Sequence, residues 1–256
     1  MEILETKIPY VQIIKNYISP EEVNTINSAL CSLSESDWNV FDAERRIQRY
    51  KNLKKEKQTV TKDTLGLDPG SGRRDPWDGM TVGTTDIAKA RNMYPNFPLD
   101  LVFDMEKRMQ STAEEMFGED LLVQLSGLHR WRVGRFQEPH IDYFDPEEDY
   151  DWEELANYRI WPESAEKFGK TFFDKHYSSL LYFNSDYVGG SLYMPQYDFE
   201  IQPEPGMLIS FKGDSKHLHG VREITEGARH TLSVFWTKKS WYDIPGNAQI
   251  FPGRHP

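Results

Sequence analysis

Short apolar runs separated by polar and turn-forming residues dominate the second half of the chain. They recur from about residue 121 to residue 237 and are punctuated by Gly, Pro, Asn and Asp. Runs of this length, bounded by turn residues, predict short β-strands of a sandwich or barrel. The predicted strands are Leu121–Leu125, Leu128–Phe136, Tyr177–Asn184, Ser191–Met194, Met207–Phe211, His217–Ile224 and His230–Thr237.

The first half of the chain carries a helical pattern. A short strand within residues 8–18 leads into Ser19-Pro20-Glu21-Glu22. Ser at the N-cap, Pro at the first helical position and Glu in the first turn predict a helix that ends near Leu33. A second helix is predicted over residues 98–117, where Leu, Val, Phe and Met return near helical spacing. Residues 63–85 contain seven Gly or Pro and are predicted to form a loop.

These patterns predict one domain, because no internal repeat and no low-complexity linker divides the chain. We expect residues 1–120 to provide helical support and loops, residues 121–240 to form a β core, and residues 241–256 to form a C-terminal tail. The predicted fold class is mainly β with flanking helices.

The chain is acidic, with 30 Lys and Arg against 41 Asp and Glu and a net charge of −11. Such a chain is a poor candidate for non-specific binding of nucleic acid. Residues 44–62 are the exception, since they hold eight Lys or Arg and only two Glu. That segment fits either a solvated stretch or a cationic patch for an anionic partner.

Cys31 is the single cysteine, which excludes an intramolecular disulfide and any metal site built from several cysteines. No stretch approaches the roughly 18 apolar residues of a membrane span. The N-terminus lacks the basic start and apolar run of a signal peptide. We therefore expect a cytoplasmic protein without a membrane partner.

A candidate metal site emerges from residues in the predicted β core. His140-Ile141-Asp142 places one nitrogen ligand and one oxygen ligand on the same face of a strand. His219 follows on a later strand, and two His with one carboxylate form the facial triad of non-heme iron(II) oxygenases. Such a triad leaves positions open for a bidentate 2-oxo acid and dioxygen. Arg229, ten residues after His219, is the planar cation that would bind a distal carboxylate.

Several alternatives remain open for these residues. His140 and Asp142 could form a surface ion pair, and two His with one Asp could hold zinc. His217 competes with His219 because the two share a face, although the spacing to Arg229 favours His219. A turn at Glu226-Gly227 is predicted to return the chain and bring Arg229 beside His219.

The stretch from about residue 121 to residue 237 resembles the iron(II)/2-oxoglutarate-dependent dioxygenases, most closely their prolyl 4-hydroxylase-like branch. Residues 134–142 resemble the segment that leads into the first two ligands, and Arg229-His230-Thr231 resembles the Arg-x-Ser/Thr pair of the co-substrate site. Three further stretches, 178–184, 189–195 and 205–211, resemble a strand ending in Tyr-Leu-Asn, a Gly-Gly turn and a Pro-Gly turn of that branch. Two positions depart from the pattern, namely Trp131 in place of a Tyr and Glu223-Ile224 in place of Pro-Val.

The resemblance implies a double-stranded β-helix, or jelly roll. It implies Fe(II) held by His140, Asp142 and His219, and 2-oxoglutarate held by Arg229 with Tyr182 and Thr231. Ascorbate is a candidate reductant. The implied reaction converts 2-oxoglutarate and dioxygen into succinate and carbon dioxide while a C–H bond of the substrate is hydroxylated.

Three interpretations of the function follow. The favoured one is a prolyl hydroxylase acting on a peptide or protein. The second is the same chemistry on a free amino acid or small metabolite, and the third is a non-catalytic jelly-roll binding module. The complete set of His140, Asp142, His219 and Arg229 favours an enzyme, since a binding module has no need for the arginine.

Residues 142–154 hold eight acids and no Lys or Arg, with Tyr and Trp interleaved. Self-repulsion fits an ordinary solvated loop. The functional interpretation is a lid at the mouth of the site whose negative rim attracts a cationic substrate.

Overall fold

The structure, a computed structural model, describes residues 1–34, 38, 78–80, 90–92, 94–143, 150–158 and 175–242. The basic segment 44–62, most of the Gly-rich stretch, residues 144–149 of the acidic segment and the C-terminal tail after residue 242 lie outside this part of the chain. The predictions made for those segments are therefore untested.

The N-terminal part forms two strands and a helix. Strand β1 spans Glu2–Leu4, strand β2 spans Val11–Lys15 and helix α1 spans Pro20–Ser32. Helix α1 begins as predicted: the Glu22 N–H donates to the Ser19 hydroxyl at 3.2 Å, and the Ser19 N–H donates to the Glu22 carboxylate at 2.8 Å. This reciprocal capping satisfies two N–H groups that the helix itself cannot.

Helix α2 spans Leu99–Phe117 and confirms the second predicted helix. It ends at Gly118, whose φ of 67° is left-handed and whose N–H donates to the Glu114 carbonyl at 2.9 Å. Glycine adopts this conformation without strain, so the helix stops there. The buried side chains of α2 are Leu99, Val102, Met105, Glu106, Met109 and Ala113.

The remaining described elements form the β core, two short α-helices and two 3₁₀ turns. The strands are β3 (Asp78–Met80), β4 (Leu121–Arg132), β5 (Gln137–His140), β6 (Tyr177–Tyr182), β7 (Tyr187–Gly189), β8 (Leu192–Met194), β9 (Phe199–Ile201), β10 (Leu208–Lys212), β11 (His219–Val221) and β12 (Ile224–Lys238). Two short helices, α3 (Trp152–Ala156) and α4 (Lys239–Tyr242), and 3₁₀ turns at Pro195–Tyr197 and Ser215–His217 complete the described part.

Three details of the predicted strands are wrong. The two strands predicted over residues 121–136 are one strand, β4. The loop predicted for residues 63–85 contains β3, which gains its structure by pairing with β4. The turn predicted at Glu226-Gly227 does not exist, because β12 continues through it with a register irregularity. Gly227 adopts a φ of 74° there, and a Cβ would lie 2.4 Å from the Asp186 carbonyl oxygen, so the glycine bends the strand without reversing it.

The strands form two antiparallel sheets. The major sheet has the order β1-β2-β10-β6-β12-β4-β3, with β7 paired to β12, and the minor sheet has the order β5-β11-β8-β9. The N-terminal strands therefore extend the major sheet, in addition to the helical support predicted for that part of the chain. The mainly β class with flanking helices is confirmed.

Each face of the major sheet packs against a different layer. Side chains of the outer face, such as Leu181, Leu232 and Val234, form one hydrophobic cluster with α1 and α2. Side chains of the inner face, such as Tyr182 and Ile209, form a second cluster with Leu192 of the minor sheet. Successive residues of a strand point to opposite faces of the sheet. Because both faces of the major sheet are buried, its strands contain nearly continuous apolar runs.

Candidate metal centre and co-substrate pocket

The structure brings His140, Asp142 and His219 together. His140 ends β5, Asp142 follows two residues later, and His219 begins β11 directly opposite His140. The Asp142 carboxylate oxygens lie 3.6 Å from Nε2 of His140 and 3.5 Å from Nε2 of His219. One ligand atom from each residue lies within 4.8 Å of the other two, which is the spacing required to surround a single metal ion.

Both histidines are oriented by backbone carbonyls. Nδ1 of His140 lies 3.0 Å from the Glu138 carbonyl oxygen, and Nδ1 of His219 lies 3.0 Å from the His217 carbonyl oxygen. A carbonyl only accepts, so each Nδ1 carries the proton and each Nε2 has a lone pair. Burial and the neighbouring His140 lower the pKa of His219 to about 4, which keeps this imidazole neutral.

Asp142 is held by two groups of the major sheet, one on β6 and one directly after β10. The Ser178 hydroxyl on β6 donates to the carboxylate at 2.6 Å, while the N–H groups of Asp142 and Tyr143 both donate to the Gly213 carbonyl at 2.9 Å. A Cβ at Gly213 would lie 2.5 Å from the Lys175 carbonyl oxygen. Burial alone would raise the pKa of the Asp142 carboxyl, but His140, His219 and Lys175 together hold it well below its usual range. Asp142 is therefore an anionic ligand.

His217 does not join this cluster. Its Nδ1 contacts the Asp214 carboxylate, and its Nε2 lies 2.7 Å from the Pro9 carbonyl oxygen. Both ring nitrogens thus hold the N-terminal segment against the 3₁₀ turn before β11. Of the two candidates that the sequence left open, the structure places His219 at the centre.

The donor set fits a divalent metal ion bound on one side by protein. Two neutral imidazoles and one carboxylate are the facial set of non-heme iron sites, although zinc accepts the same atoms. The side chains of Asp142 and His219 are 7% exposed, whereas that of His140 is 26% exposed. The centre is therefore accessible from the His140 side.

A buried cation lies on the inner face of β12. Arg229 is 3% exposed, its Nη1 donates to the Gly190 carbonyl at 2.7 Å, and its Cζ lies 4.6 Å from the centre of the Trp131 ring. Its Nε is buried without a hydrogen-bond partner, and among the described residues no carboxylate lies within 4 Å of the guanidinium. Because an unpaired buried charge is costly, Arg229 is suited to bind an anionic ligand.

Tyr182 and Thr231 lie beside Arg229 on the same face. Thr231 is directly opposite Tyr182 on β6 and His129 on β4, and it is two residues from Arg229 along β12. The Tyr182 hydroxyl is buried without a partner, and burial raises the pKa of this phenol, so it remains a donor. The three predicted co-substrate residues are therefore neighbours on the inner face of the major sheet.

Three residues near the candidate site were not predicted from the sequence. Ser178 and Gln137 contact the metal-ligating groups, and His129 lies opposite Thr231 with a pKa lowered to about 4 by burial and by Arg229 and Lys175. The available signal for Ser178 was a serine within the largely apolar strand β6, but the direction of its side chain depends on strand register.

The described end of the acidic segment lies next to the ligands. Leu155 of α3 packs with Ile141 and Leu218, the neighbours of the ligating residues, and Tyr150 and Trp152 pack against this cluster. Tyr150 and Trp152 therefore pack against protein next to the ligands, while residues 144–149 of the predicted lid lie outside the described part of the chain. No helix among the described residues is long and apolar enough to cross a bilayer.

Residues 126–238 match the family model described as 2OG-Fe(II) oxygenase superfamily. This range includes every residue discussed above as a metal ligand or pocket residue. The match coincides with β4 through β12, the part of the chain in which the two sheets face each other.

Similar sequences are found among prolyl 3-hydroxylases. Prolyl 3-hydroxylase 1 of Gallus gallus is 36% identical over 68 residues, which are 25% of this chain and 9% of that protein. Prolyl 3-hydroxylase 2 of Gallus gallus is 30% identical over 125 residues, 46% of this chain and 16% of that protein. The matched segments thus span less than a fifth of these relatives.

The fold is similar to that of a viral collagen prolyl hydroxylase from Paramecium Bursaria Chlorella virus-1, solved as its 2OG complex. The TM-score is 0.52 at 12% sequence identity, covering 90% of this chain and 96% of that one. At this identity the likeness concerns the fold alone, and it supports the predicted jelly roll.

Proposed function

We propose that this protein is an Fe(II)- and 2-oxoglutarate-dependent prolyl hydroxylase acting on a peptide or protein, because residues 126–238 match the family model described as 2OG-Fe(II) oxygenase superfamily. The observation that carries the proposal is a pair of sites: a two-His, one-carboxylate cluster whose histidines lie on the minor sheet, and a buried arginine of the major sheet that has no carboxylate partner among the described residues. We further propose that one domain contains both sites.

His140, Asp142 and His219 are the proposed metal ligands. Their role is supported by the two Nδ1–carbonyl hydrogen bonds, which leave each histidine an Nε2 lone pair that a metal ion can use. When bound, Fe(II) supplies the activation of dioxygen that the oxidative decarboxylation of 2-oxoglutarate requires. The protein contributes the facial geometry, one negative charge and a side accessible for substrate.

Arg229, Tyr182 and Thr231 are the proposed residues for the distal carboxylate of 2-oxoglutarate. A carboxylate beside Arg229 would neutralise its buried charge and give its Nε a partner. The Tyr182 hydroxyl would donate to the same carboxylate, and Thr231 lies within the same row of side chains. These groups hold the co-substrate in one orientation and exclude water from it.

A peptidyl proline is the proposed substrate. The segments similar to prolyl 3-hydroxylases support it over a free amino acid or small metabolite, and the arginine pocket argues against a non-catalytic binding module. The similar sequences are named for 3-hydroxylation, whereas the structural neighbour is named for collagen prolyl hydroxylation. Product analysis is therefore needed to determine which carbon of the proline ring is hydroxylated.

Two finer proposals concern substrate charge and location. Exposed acids at the described end of the acidic segment, Asp151 and Glu153, favour a substrate with basic residues near its proline and disfavour nucleic acid. The single free Cys31 supports the cytoplasm as the compartment.

The test measures succinate from purified protein with Fe(II), 2-oxoglutarate and ascorbate, first alone and then with proline-containing peptides. We expect slow uncoupled turnover, stimulated by a peptide that gains one oxygen atom on proline. The Asp142→Ala variant is the negative control. If the protein binds Fe(II) but forms no succinate either with or without peptides, the proposed enzymatic activity is refuted.

A further inference from the structure

The Gln137 side chain reaches one of the proposed ligands, a contact that the proposed function does not use. Nε2 of Gln137 lies 3.0 Å from Nε2 of His140. Because Nδ1 of His140 holds its proton toward the Glu138 carbonyl, Nε2 is the acceptor in this contact. The Gln137 carboxamide therefore donates a hydrogen bond to the lone pair that a metal ion would use.

A β-bulge brings these two side chains to the same face. On β11, His219 and Val221 are two residues apart, but their partners on β5, His140 and Gln137, are three apart. Regular alternation would send residues three apart to opposite faces. The extra residue between them restores the common face, as bulges beside active sites often do.

The bulge contains Pro139. Because proline has no backbone N–H, it leaves no donor unpaired where the hydrogen bonds between the strands are interrupted. At Gly220, between the two partners on β11, a Cβ would lie 2.7 Å from the Gln137 carbonyl oxygen. The backbone of β5 is therefore pressed closely against β11 at this point.

We propose that Gln137 is a metal-displaced positioning residue: it competes with the metal for His140, and once displaced it donates a hydrogen bond to a carbonyl oxygen of the peptide substrate. The proposal rests on the proposed function. A single lone pair on Nε2 cannot serve an amide donor and a metal ion together, so metal binding releases the carboxamide. The released group remains next to the metal because the bulge holds its backbone.

The substrate is the expected acceptor because of where Gln137 lies. Strand β5 is at the edge of the minor sheet in the described part of the chain, on the side where His140 is 26% exposed. Arg229, the proposed co-substrate residue, is 3% exposed on the inner face of the major sheet. The carboxamide therefore faces the accessible side of the centre, from which a peptide would enter.

The proposal predicts opposite signs for two measurements on Gln137→Leu, which keeps a side chain of similar length and removes the donor. Metal affinity should rise by a few-fold up to about tenfold. In the variant, no hydrogen bond to His140 has to break before the metal binds. The KM for a proline peptide should also rise by a few-fold up to about tenfold, while the affinity for 2-oxoglutarate should not change. Structural damage would weaken metal binding, so it cannot produce this combination.

The experiment titrates metal-stripped protein with Co(II), followed by its visible absorption, and then measures peptide kinetics with Fe(II). Gln196→Leu is the matched control: Gln196 bonds to Glu154 and to the Leu218 N–H near the site but contacts no proposed ligand. It should not tighten Co(II) binding. Unchanged or weaker Co(II) binding by Gln137→Leu overturns the inference while leaving the function intact, as does an unchanged KM. If the unmodified protein binds no Co(II), the proposed function itself fails.

Discussion

The Ser178 hydroxyl donates a 2.6 Å hydrogen bond to Oδ2 of Asp142, and this bond joins the inner face of the major sheet to the carboxylate that follows β5. Ser178 lies on β6 opposite Phe235 of β12, so it belongs to a central part of that sheet. The carboxylate is thereby held by a central strand of the major sheet. Groups that orient metal ligands in this way typically affect metal affinity by 10- to 100-fold.

The Ser178→Ala variant should therefore bind Fe(II) or Co(II) about tenfold more weakly. The adjacent Ser179→Ala is the control. Ser179 bonds to Ser210 and Trp236 Nε1, so its loss should lower the melting temperature without weakening metal binding. Equal metal affinities in Ser178→Ala and the unmodified protein would remove Ser178 from the support of Asp142.

His219→Ala should abolish metal binding, because it removes one of two nitrogen ligands from the centre. His217→Ala and His217→Gln should retain one metal per chain, although their melting temperatures should fall because His217 connects Asp214 with Pro9. Metal content of the purified variants distinguishes the two positions. Metal loss in the His217 variants together with retention in His219→Ala would reverse the assignment.

Arg229→Ala should raise the Kd for 2-oxoglutarate by an order of magnitude or more. Leaving a buried carboxylate unpaired costs roughly 2–5 kcal/mol. The variant should still bind the metal. Calorimetric titration of the metal-loaded variant with 2-oxoglutarate measures the Kd, and the metal content of that sample checks that the metal is bound. Arg222→Ala, which removes an exposed arginine paired with Glu200, should leave the Kd unchanged. An unchanged Kd in Arg229→Ala would exclude this residue from the co-substrate pocket.

Glu106 predicts a pH dependence of stability that is separate from the site. It is 3% exposed on the buried face of α2, and burial raises its pKa to about 7. The folded state therefore keeps the proton that the unfolded state releases near the ordinary pKa of 4.5. The contribution of this group to stability is present below pH 4.5 and is lost as the pH rises to about 7, a change on the order of 3 kcal/mol.

Urea denaturation of Glu106→Gln at several pH values tests this expectation. The variant is neutral throughout, so it should be more stable than the unmodified protein at pH 8, and the difference should shrink toward pH 5. Glu115→Gln on the same helix, whose residue is exposed, should show no such trend. A pH-independent difference for Glu106→Gln would mean that Glu106 is ionised in the folded state.

Peptides with Lys or Arg beside the proline should be better substrates than peptides with Asp or Glu. Their advantage in kcat/KM should shrink as salt rises, since exposed charges are screened within about 10 Å at 0.1 M. Glu153→Gln should reduce the advantage, and Glu21→Gln, an exposed acid in the first turn of α1, should not. A preference for acidic peptides would contradict the proposed cationic substrate. A preference for basic peptides that does not change with salt concentration would contradict it as well.

The sequence predicted the elements that follow local rules. Helix α1 begins where Ser19 and Glu22 form their reciprocal cap, and α2 follows the helical period of its apolar residues. The candidate ligands were predictable because His140 and Asp142 are two residues apart and His219 precedes Arg229 by a family-like spacing. Each of these signals is contained within a short stretch of chain.

The details that could not be predicted depend on pairing between distant strands. Gly227 looks like a turn residue, but pairing with Tyr187 keeps it inside β12. Gln137 is directed at His140 only because β5 bulges against β11. Whether Ser178 faces the helices or the metal centre depends on its register with β12, which a single sequence does not specify.

The shared acceptor at Gly213 has a consequence for folding. Its carbonyl holds the N–H groups of Asp142 and Tyr143 just after β10, a major-sheet strand, while His219 begins a strand of the minor sheet. The three ligands therefore converge only after contacts between distant parts of the chain have closed, which is a slow class of event. An unfolded chain offers the metal no comparable site, so metal binding should draw the folding equilibrium toward the native state and slow its unfolding.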